Sequence, residues 1–318
     1  MSVTKKKKTK SRVRKVKAAV HKRRRASRAS HHDRWTMFAW AMPALLVALV
    51  LAALLKPKAQ YPINLTSAKL ISLFQQAQSQ DVKDRIAFWS ERLLRDPNLL
   101  APLGAGPEIN DTAPLFPHGY DCTTYVETVG ALSRSDDGQA LADKIISIRY
   151  KSGKISYGNR NHFPEADWIP NNVRSGVLDD VTVKVAGKAG FMASFANKDI
   201  DKVAWFKAQK NEHAKRAIAS TDTDPVTVKL AYLPVDKIMS ALQHIPQGAI
   251  INVVRESKDR YPVLISHQGF LIWKKGVAYL RHASRQKEIS EIPFEQYVRN
   301  ARSMPWRVLG FNVNLFRG

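Results

Sequence analysis

The chain has 318 residues, of which 44% are hydrophobic and 25% are charged, so it can bury a core and a wholly disordered protein is excluded. Its net charge is +24, but 15 Lys or Arg residues and a single acid lie within residues 1–34, so the basic character belongs mainly to a tail. The single cysteine, Cys122, excludes an intramolecular disulfide and a cysteine-rich metal site.

Residues 1–34 predict a disordered basic tail, because runs of like charge repel one another and leave little apolar surface to bury. Residues 35–55 follow with 21 positions that carry no charge. A helix of that length spans roughly 30 Å, which matches the core of a bilayer, so we predict a transmembrane helix. The run is long for a cleaved signal peptide, and no small-residue cleavage motif follows it, which favours an uncleaved anchor.

The charge distribution predicts the orientation of this anchor. Basic flanks stay on the cytoplasmic side, so the expected location is the inner (cytoplasmic) membrane, with a cytoplasmic N-terminus and a periplasmic or otherwise extracytoplasmic domain. A basic run can also bind nucleic acid. A basic tail beside an apolar span is more typical of contact with anionic lipid, so the expected partner is the membrane and not nucleic acid.

Residues 56–64 predict a short linker, and residues 65–318 predict one α+β domain. A Pro- and Gly-rich stretch at 97–119 predicts an irregular loop, residues 145–157 are typical of a hairpin, and residues 158–200 predict mostly loop. We expect helices near 122–134, 203–215, 235–244 and 294–301, and strands near 226–233, 249–254, 263–273, 277–282 and 309–315. Helices followed by a run of short strands are the α+β pattern, here with an antiparallel sheet.

Cys122 is the first candidate for chemistry. Asp121 is a good N-cap residue, and apolar residues recur behind it at helical spacing, which places Cys122 in the first turn of a helix. There the free N–H groups and the helix dipole stabilise a thiolate, so we expect a lowered pKa. A thiol nucleophile also needs an imidazole base and a third group that orients the base. The alternative is that Cys122 is a small buried hydrophobe.

His267 and His282 are the candidate partners, one on each of two predicted strands that a tight turn joins. A two-residue loop at Lys274-Lys275 pairs positions that sum to 549 and sets His267 opposite His282. A three-residue loop that includes Gly276 gives a sum of 550 and places the histidines on opposite faces, unless a bulge corrects it. Each histidine taken singly is better explained as a hydrogen-bonded residue at the end of a strand.

These segments together resemble the NlpC-type superfamily of papain-like cell-wall peptidases. The matching motifs are Asp121-Cys122-Thr123, His267-Gln268-Gly269-Phe270-Leu271-Ile272, and Leu280 to Ala283 around His282. Within the superfamily the chain is most similar to the N-acetylmuramoyl-L-alanine amidase-like family, formerly a domain of unknown function. The segments that carry this closer resemblance are residues 157–163 and 167–172.

The resemblance implies a papain-like (NlpC-type) fold, in which the nucleophile helix packs on an antiparallel sheet behind the transmembrane helix. It implies thiol-dependent hydrolysis of an amide in peptidoglycan fragments or muropeptides, either in the stem peptide or between the lactyl group and L-alanine. Neither a cofactor nor a metal is implied. Cys122 would attack the carbonyl, His267 would act as acid and base, and His282 would fix the tautomer of His267.

Four residues are candidate substrate contacts: Arg160, Asn161, His162 and Trp168. Arg160 has the charge to meet a stem-peptide carboxylate, and Trp168 has the flat apolar face that packs on a sugar. The alternative is loop structure, in which asparagine side chains form local turns and aromatic ones plug the loop onto the core.

Two other classes of function compete with this enzyme. One is a non-catalytic cell-wall-binding or scaffold protein, which has no need for a set of one cysteine and two histidines. The other is a zinc amidase that uses His162, although no two histidines stand at ligand spacing beside an acid. An alkylating agent stops the thiol enzyme, whereas a chelator stops the zinc enzyme.

Overall fold

The computed structural model describes residues 68–78, 80–98, 119–208, 212–219, 225–283 and 288–318. These residues belong to one compact unit, Ala59–Gly318. The predicted tail at 1–34, the predicted span at 35–55 and the predicted linker at 56–64 lie outside the described residues, as does most of the Pro- and Gly-rich loop.

The helices of this unit are short. Their bounds are α1 Ala68–Gln78, α2 Val82–Arg92, α3 Cys122–Ser133, α4 Gly138–Arg149, α5 Ile169–Arg174, α6 Thr182–Lys188, α7 Lys202–Ala208, α8 Glu212–Ile218, α9 Ile238–Ala241 and α10 Phe294–Ala301. Aspartate N-caps precede α2, α3 and α4, and each side chain accepts hydrogen bonds from main-chain N–H groups of the first turn. These helices therefore begin where the sequence supplies an acceptor for the free N–H groups.

The strands form one eight-stranded sheet in which every described pair is antiparallel. Their bounds are β1 Leu178–Asp180, β2 Ser194–Ile200, β3 Val226–Pro234, β4 Ala249–Arg255, β5 Ile265–Lys274, β6 Val277–Ala283, β7 Ile289–Pro293 and β8 Val308–Phe316. The order across the sheet is β2-β3-β8-β4-β5-β6-β7, and β1 pairs with β8. The last strand of the chain thus lies near the middle of the sheet.

Apolar residues cover both faces of the sheet and form two cores. On one face, Ile250 and Phe270 belong to the core that α1 to α4 cover, and the Tyr125 ring of α3 lies 5.8 Å from that of Phe270. On the other face, Ile251 and Leu271 pack with α6, α9 and α10. Successive residues of a strand alternate between faces. This alternation decides which side of β5 each functional side chain occupies.

The hairpin predicted at residues 145–157 is wrong. The chain is helical through Arg149, and Leu141, Ile145 and Ile148 are buried on one side of α4. These positions repeat at helical spacing, but the β-branched isoleucines give the segment the composition of a strand. Residues 158–200, predicted to be mostly loop, contain α5, α6, β1 and β2.

The domain has the expected mixed α/β fold with an antiparallel sheet, whereas the membrane-spanning helix that the fold prediction places at 35–55 lies outside the part of the chain that the structure describes. No helix there is long and apolar enough to cross a bilayer. The helices α3 and α4 have 12 residues each, whereas about 20 are needed to cross the hydrocarbon core.

We predict that Gly130→Ala destabilises the domain. Gly130 lies in α3, where a β-carbon would overlap the ring of Phe316 at the end of β8, and overpacking of this kind costs about 1–3 kcal/mol. Gly187→Ala in α6 is the matched control, because a β-carbon there meets no atom within 4 Å. Urea unfolding should give a lower free energy of unfolding for Gly130→Ala and an equal or higher one for Gly187→Ala. Equal values for the two variants would contradict this account of the contact between α3 and β8.

Candidate active site

Cys122 is the first residue of α3, as the sequence predicts. Asp121 is the N-cap, and its side chain accepts a 2.8 Å hydrogen bond from the Thr124 N–H. The Thr124 hydroxyl in turn accepts a 3.0 Å hydrogen bond from the Asp121 N–H, which completes a capping box. This cap fixes how the chain enters α3, so local sequence sets the position of the Cys122 side chain.

The sulfur of Cys122 lies at the edge of β5. It accepts a hydrogen bond from the main-chain N–H of Gln268. The pairing of β5 with β6 begins only at Phe270, opposite Arg281, so β6 does not cover the main chain at Gln268. Gln268 directly follows His267, and the thiol therefore contacts the residue next to its predicted partner.

The electrostatic surroundings of the thiol differ from the prediction. Burial, together with the neighbouring Asp121 carboxylate, raises the pKa of the Cys122 thiol to about 12. Hydrogen bonds from Gln268 and Thr123 lower this pKa, but they do not offset the loss of water around a thiolate. The balance of these effects is opposite to the lowered pKa that the helix start predicts.

His267 on β5 and His282 on β6 form a direct pair. Nε2 of His267 lies 2.7 Å from Nδ1 of His282, which is a hydrogen bond, and the two ring planes are nearly perpendicular, at 84°. Both side chains are half-buried. The sequence allows this pair without requiring it, and the structure brings the two rings together.

The register that produces the pair differs from both predicted registers. The turn is at Lys275-Gly276, where both residues have positive φ values, 50° and 78°, as a type I′ turn requires. Lys274 therefore pairs with Val277, and paired positions sum to 551. His267 is diagonal to His282 instead of opposite it. A displacement of two residues keeps both side chains on one face of the sheet.

Gly269 makes this diagonal contact possible. A β-carbon at Gly269 would lie 2.9 Å from the β-carbon of His282 and 2.7 Å from the carbonyl oxygen of Arg281. Real β-carbons do not come so close to such atoms. Any larger residue at this position would push β5 and β6 apart, so the glycine of the His-x-Gly motif has a packing role.

Tyr297 of α10 is a site residue that the sequence does not reveal. Its ring stacks on His267 with 6.4 Å between centroids, and it meets His282 edge-on at 5.5 Å. The three rings border a cavity of about 400 Å³, to which Glu291 and Trp306 add a charged and an aromatic wall. The helical pattern of α10 indicates that Tyr297 is buried, but it does not indicate which face of the sheet the helix covers.

Two of the predicted substrate contacts lie in the interior. Trp168 is fully buried, and its ring N–H donates to Glu127 Oε1 at 3.2 Å. Glu127 also accepts a 2.8 Å hydrogen bond from Arg149 within a buried ion pair. The Asn161 amide donates to the Ile148 carbonyl at 3.0 Å. In these positions Trp168 has no open face for a sugar, and Asn161 holds its loop onto α4.

Arg160 and His162 line a second pocket, of about 90 Å³, that shares no lining residue with the cavity at His267. Nε2 of His162 donates to the Tyr157 carbonyl at 2.6 Å. Burial lowers the pKa of the Arg160 guanidinium to about 10. The structure does not bring these residues to the histidine pair, and their role as substrate contacts stays a prediction.

The described part of the chain contains no set of ligands for the zinc site of the alternative hypothesis. No group of three His, Cys, Asp or Glu side chains there is placed to bind a metal ion. The ring of His162, which that alternative requires, is engaged with a main-chain carbonyl and packs among Tyr157, Trp205 and Phe206.

We predict that the domain loses stability as the pH falls from 6.5 to about 4, because burial lowers the pKa of both His162 and His282 from 6.5 to about 4. Between these values the unfolded chain binds protons that the folded domain does not, so acid favours unfolding, by on the order of 3 kcal/mol for each histidine. The free energy of unfolding in urea should therefore fall with pH, and less steeply for His282→Asn, which cannot titrate. Parallel pH profiles for the two proteins would contradict the burial of His282.

Comparison with known families shows to which family the chain belongs. A model of the AmiA-like family, described as N-acetylmuramoyl-L-alanine amidase-like, matches residues 89–304, about two thirds of the sequence. The chain belongs to the AmiA-like family. The matched range holds Cys122, His267, His282 and Tyr297, so the whole site lies within the family's domain. No protein of curated function matches the sequence.

Solved structures share the fold of this AmiA-like domain. A Legionella pneumophila protein of the DUF1460 family is 27% identical and superposes with a TM-score of 0.69 over 79% of this chain and 94% of that chain. An N-acetylmuramoyl-L-alanine amidase from Bacteroides uniformis is 24% identical, with a TM-score of 0.58 over 74% of this chain and 99% of that chain. At this identity the second likeness concerns the fold alone.

These comparisons correct the predicted fold family. The expected NlpC-type, papain-like domain is wrong, and the fold is that of AmiA-like amidases. The motifs behind that prediction describe one helix start and one hairpin, so they report local geometry around Cys122, His267 and His282. They do not determine the order of the strands, nor the long segment at 158–245 that supplies β1, β2 and β3.

Proposed function

We propose that this AmiA-like protein is a thiol-dependent amide hydrolase of peptidoglycan, which cuts the N-acetylmuramoyl-L-alanine bond or an amide of the stem peptide. The observation that carries the proposal is the hydrogen-bonded pair of His267 and His282, placed one residue from the N–H that binds the Cys122 sulfur. The family description supports a peptidoglycan amide as the substrate. A wall-binding or scaffold protein has no need for an imidazole pair that borders a cavity, one residue along the strand from the N–H at the thiol.

The two ring nitrogens of His267 have different tasks in this proposal. Nε2 faces Nδ1 of His282, so we assign Nδ1 of His267 to the thiol. Burial lowers the pKa of His282 to about 4, which keeps its ring neutral at pH 7. A neutral His282 can accept the Nε2 proton of His267, which leaves Nδ1 of His267 unprotonated as a base.

The reaction begins with transfer of the thiol proton from Cys122 to Nδ1 of His267. The sulfur forms a bond to the carbonyl carbon, and the main-chain N–H of Cys122, which has no acceptor within the helix, donates to the oxyanion. The C–N bond then breaks as His267 returns the proton to the leaving amine. His267 next removes a proton from water, whose oxygen forms a bond to the thioester carbon. The C–S bond then breaks, His267 returns the proton to the sulfur, and a carboxylic acid is released.

The raised pKa of the thiol determines when the nucleophile forms. A thiol with a pKa of about 12 keeps its proton at neutral pH, so His267 must take that proton in the step that leads to attack. The imidazole therefore acts as a general base and not as one half of a standing ion pair.

The proposal places the domain outside the cytoplasmic membrane, because its substrate lies there. Attachment of the chain to that membrane, and contact of the basic tail with anionic lipid, are predictions of the sequence alone, and the described residues do not bear on them. A reporter enzyme that is active only outside the cytoplasm, fused behind Gly318, tests the location. Activity only of a cytoplasmic reporter would contradict it.

Digestion of purified muropeptides by the full-length protein, followed by mass spectrometry, tests the activity. We expect two products whose masses sum to the substrate plus one water, and their fragmentation identifies the amide that is cut. Iodoacetamide should stop the reaction, whereas EDTA should leave it unchanged. Hydrolysis that survives complete alkylation, or a panel of muropeptides that all remain intact, would contradict the proposal.

A further inference from the structure

We propose that Gln268 is a positioning residue that holds the start of α3 in register with the histidine strand, through the Thr123 hydroxyl and through its own main-chain N–H. This inference rests on the proposed function, because it states how the thiol and His267 are kept in reacting positions. Gln268 itself touches no reacting carbon, and its effect on the reaction is transmitted by Cys122 and Thr123.

Gln268 contacts the start of α3 at two points. Its main-chain N–H donates to the Cys122 sulfur, and its side-chain Oε1 accepts a 2.8 Å hydrogen bond from the Thr123 hydroxyl. The Thr123 hydroxyl, whose one proton goes to Gln268 Oε1, also lies beside the sulfur. Sulfur, hydroxyl and amide thus form a closed set of contacts, in which each group limits the movement of the other two.

The other end of the Gln268 side chain is anchored in the sheet. Its Nε2 donates to Asn252 Oδ1 at 2.8 Å, and Asn252 Nδ2 donates to Asn312 at 2.9 Å and to Asn314 at 2.8 Å. Gln268 and the three asparagines are at most 1% exposed. A connected network of buried amides has one favourable arrangement, since a change at one member leaves another without its partner. β4 and β8 therefore fix the Gln268 side chain independently of α3.

Residue 268 carries a polar amide, which is the kind of side chain that a positioning role requires. Phe270 and Ile272, which follow Gln268 at alternate positions of β5, belong to the apolar core under α3. A buried glutamine costs desolvation that an apolar residue at the same place would avoid. The amide offsets this cost only by joining Thr123 to Asn252, and those two bonds define how far α3 can slide along β5.

Alkylation of the thiol tests this inference, because Cys122 is the only cysteine of the chain and the reaction reports on no other residue. Thr123→Val removes the hydroxyl and keeps the shape, Thr123→Ser keeps the hydroxyl, and Gln268→Met removes the amide. Thr128→Val is the matched control. Thr128 is buried in the same helix, and its hydroxyl has no hydrogen-bond partner within the described residues.

We expect the pH profile of iodoacetamide alkylation, recorded at neutral to mildly alkaline pH, to show rates about tenfold lower in Thr123→Val, since the hydroxyl can turn from Gln268 to donate to the thiolate and valine cannot. Gln268→Met leaves that hydroxyl and the main-chain N–H in place, so its effect is measured through kcat. On muropeptide, kcat should fall about tenfold while KM stays within about twofold. Thr123→Ser and Thr128→Val should behave as the wild type does. Asp121, whose carboxylate raises the pKa of the thiol, is the same in every variant, and so is His267. In the double variant, kcat should fall no further than in the less active of the two single variants, because both substitutions remove the same contact.

An unchanged alkylation profile and an unchanged kcat in folded Thr123→Val would overturn the positioning role, and so would additive losses in the double variant. If Gln268→Met does not fold, as judged by circular dichroism, the two Thr123 variants and the Thr128 control decide the question. Profiles that separate as expected, in a wild type that hydrolyses no muropeptide, would support the positioning of the thiol and overturn the proposed function instead.

Discussion

Cys122→Ser should reduce the hydrolysis of muropeptides by more than about 10³-fold, because a serine hydroxyl beside a neutral imidazole is a far weaker nucleophile here than the thiol. The capping box is made by Asp121 and Thr124 without the sulfur, so the fold of the helix start should persist. The ratio kcat/KM, measured by chromatography on one purified muropeptide, gives the size of the loss. Circular dichroism checks that the variant is folded.

Thr128→Val is the control for this experiment, because it changes a buried hydroxyl of the same helix away from the sulfur. It should keep kcat/KM within about twofold of the wild type. A folded Cys122→Ser protein that retained about a tenth of wild-type kcat/KM or more would exclude Cys122 as the nucleophile.

His267→Ala should cost nearly as much as the loss of the thiol, about 10³-fold or more in kcat/KM, since residues that act as a unit give similar losses when removed singly. His282 should behave differently. His282→Ala leaves Nε2 of His267 without its 2.7 Å partner and should cost about 100-fold. His282→Asn supplies an amide oxygen that can still accept the Nε2 proton, so its loss should be about tenfold.

The order of the three losses decides between the assigned roles. If His282→Ala keeps full activity while His267→Ala loses it, His282 has only a structural role, and another group orients the base. If His267→Ala keeps activity, the general base is not His267 and the mechanism given above is wrong. The pH profile of kcat/KM gives a second readout, because an inflection assigned to His267 must vanish in His267→Ala.

The start of α3 can be predicted from the sequence because all of its determinants are local. Asp121 and Thr124 form the cap within four residues, and Tyr125, Val129 and Leu132 follow at helical spacing and are buried. The pKa of Cys122 cannot be predicted in this way. It depends on burial under strands that are distant in the chain, so the favourable effect of the helix start was the only part visible in the sequence.

The histidine pair can be predicted only in part. Both residues lie on strands that a tight turn joins, but the register depends on Lys275 with a φ of 50°. Asn, Asp and Gly are the usual residues in that conformation. The sequence Lys-Lys-Gly therefore does not indicate which two residues form the turn, and the sum of 551 is found only in the structure. The position of Tyr297 cannot be predicted from the sequence either, since it depends on which face of the sheet α10 covers.

The polar and aromatic segment around residues 160–172 shows a different limit of what the sequence can predict. Loops carry many binding residues, so Trp168 and Asn161 were reasonable candidates for substrate contact. The structure uses them to close the interior over α4. One signal for this exists in the sequence, because Glu127 places a charge among the apolar residues of α3. A buried carboxylate requires donors, and Arg149 and Trp168 supply them.

The proposed mechanism depends on a bond between the sulfur of Cys122 and the acyl group of a peptidoglycan fragment. Rapid mixing of excess full-length protein with a muropeptide, acid quenching and peptide mapping by mass spectrometry can detect this bond. We expect a transient adduct on the peptide that contains Cys122, with the mass of the acyl fragment, which decays as the carboxylic acid product appears. An adduct on a different side chain, or product formation while the Cys122 peptide stays unmodified at every time point, would contradict this mechanism.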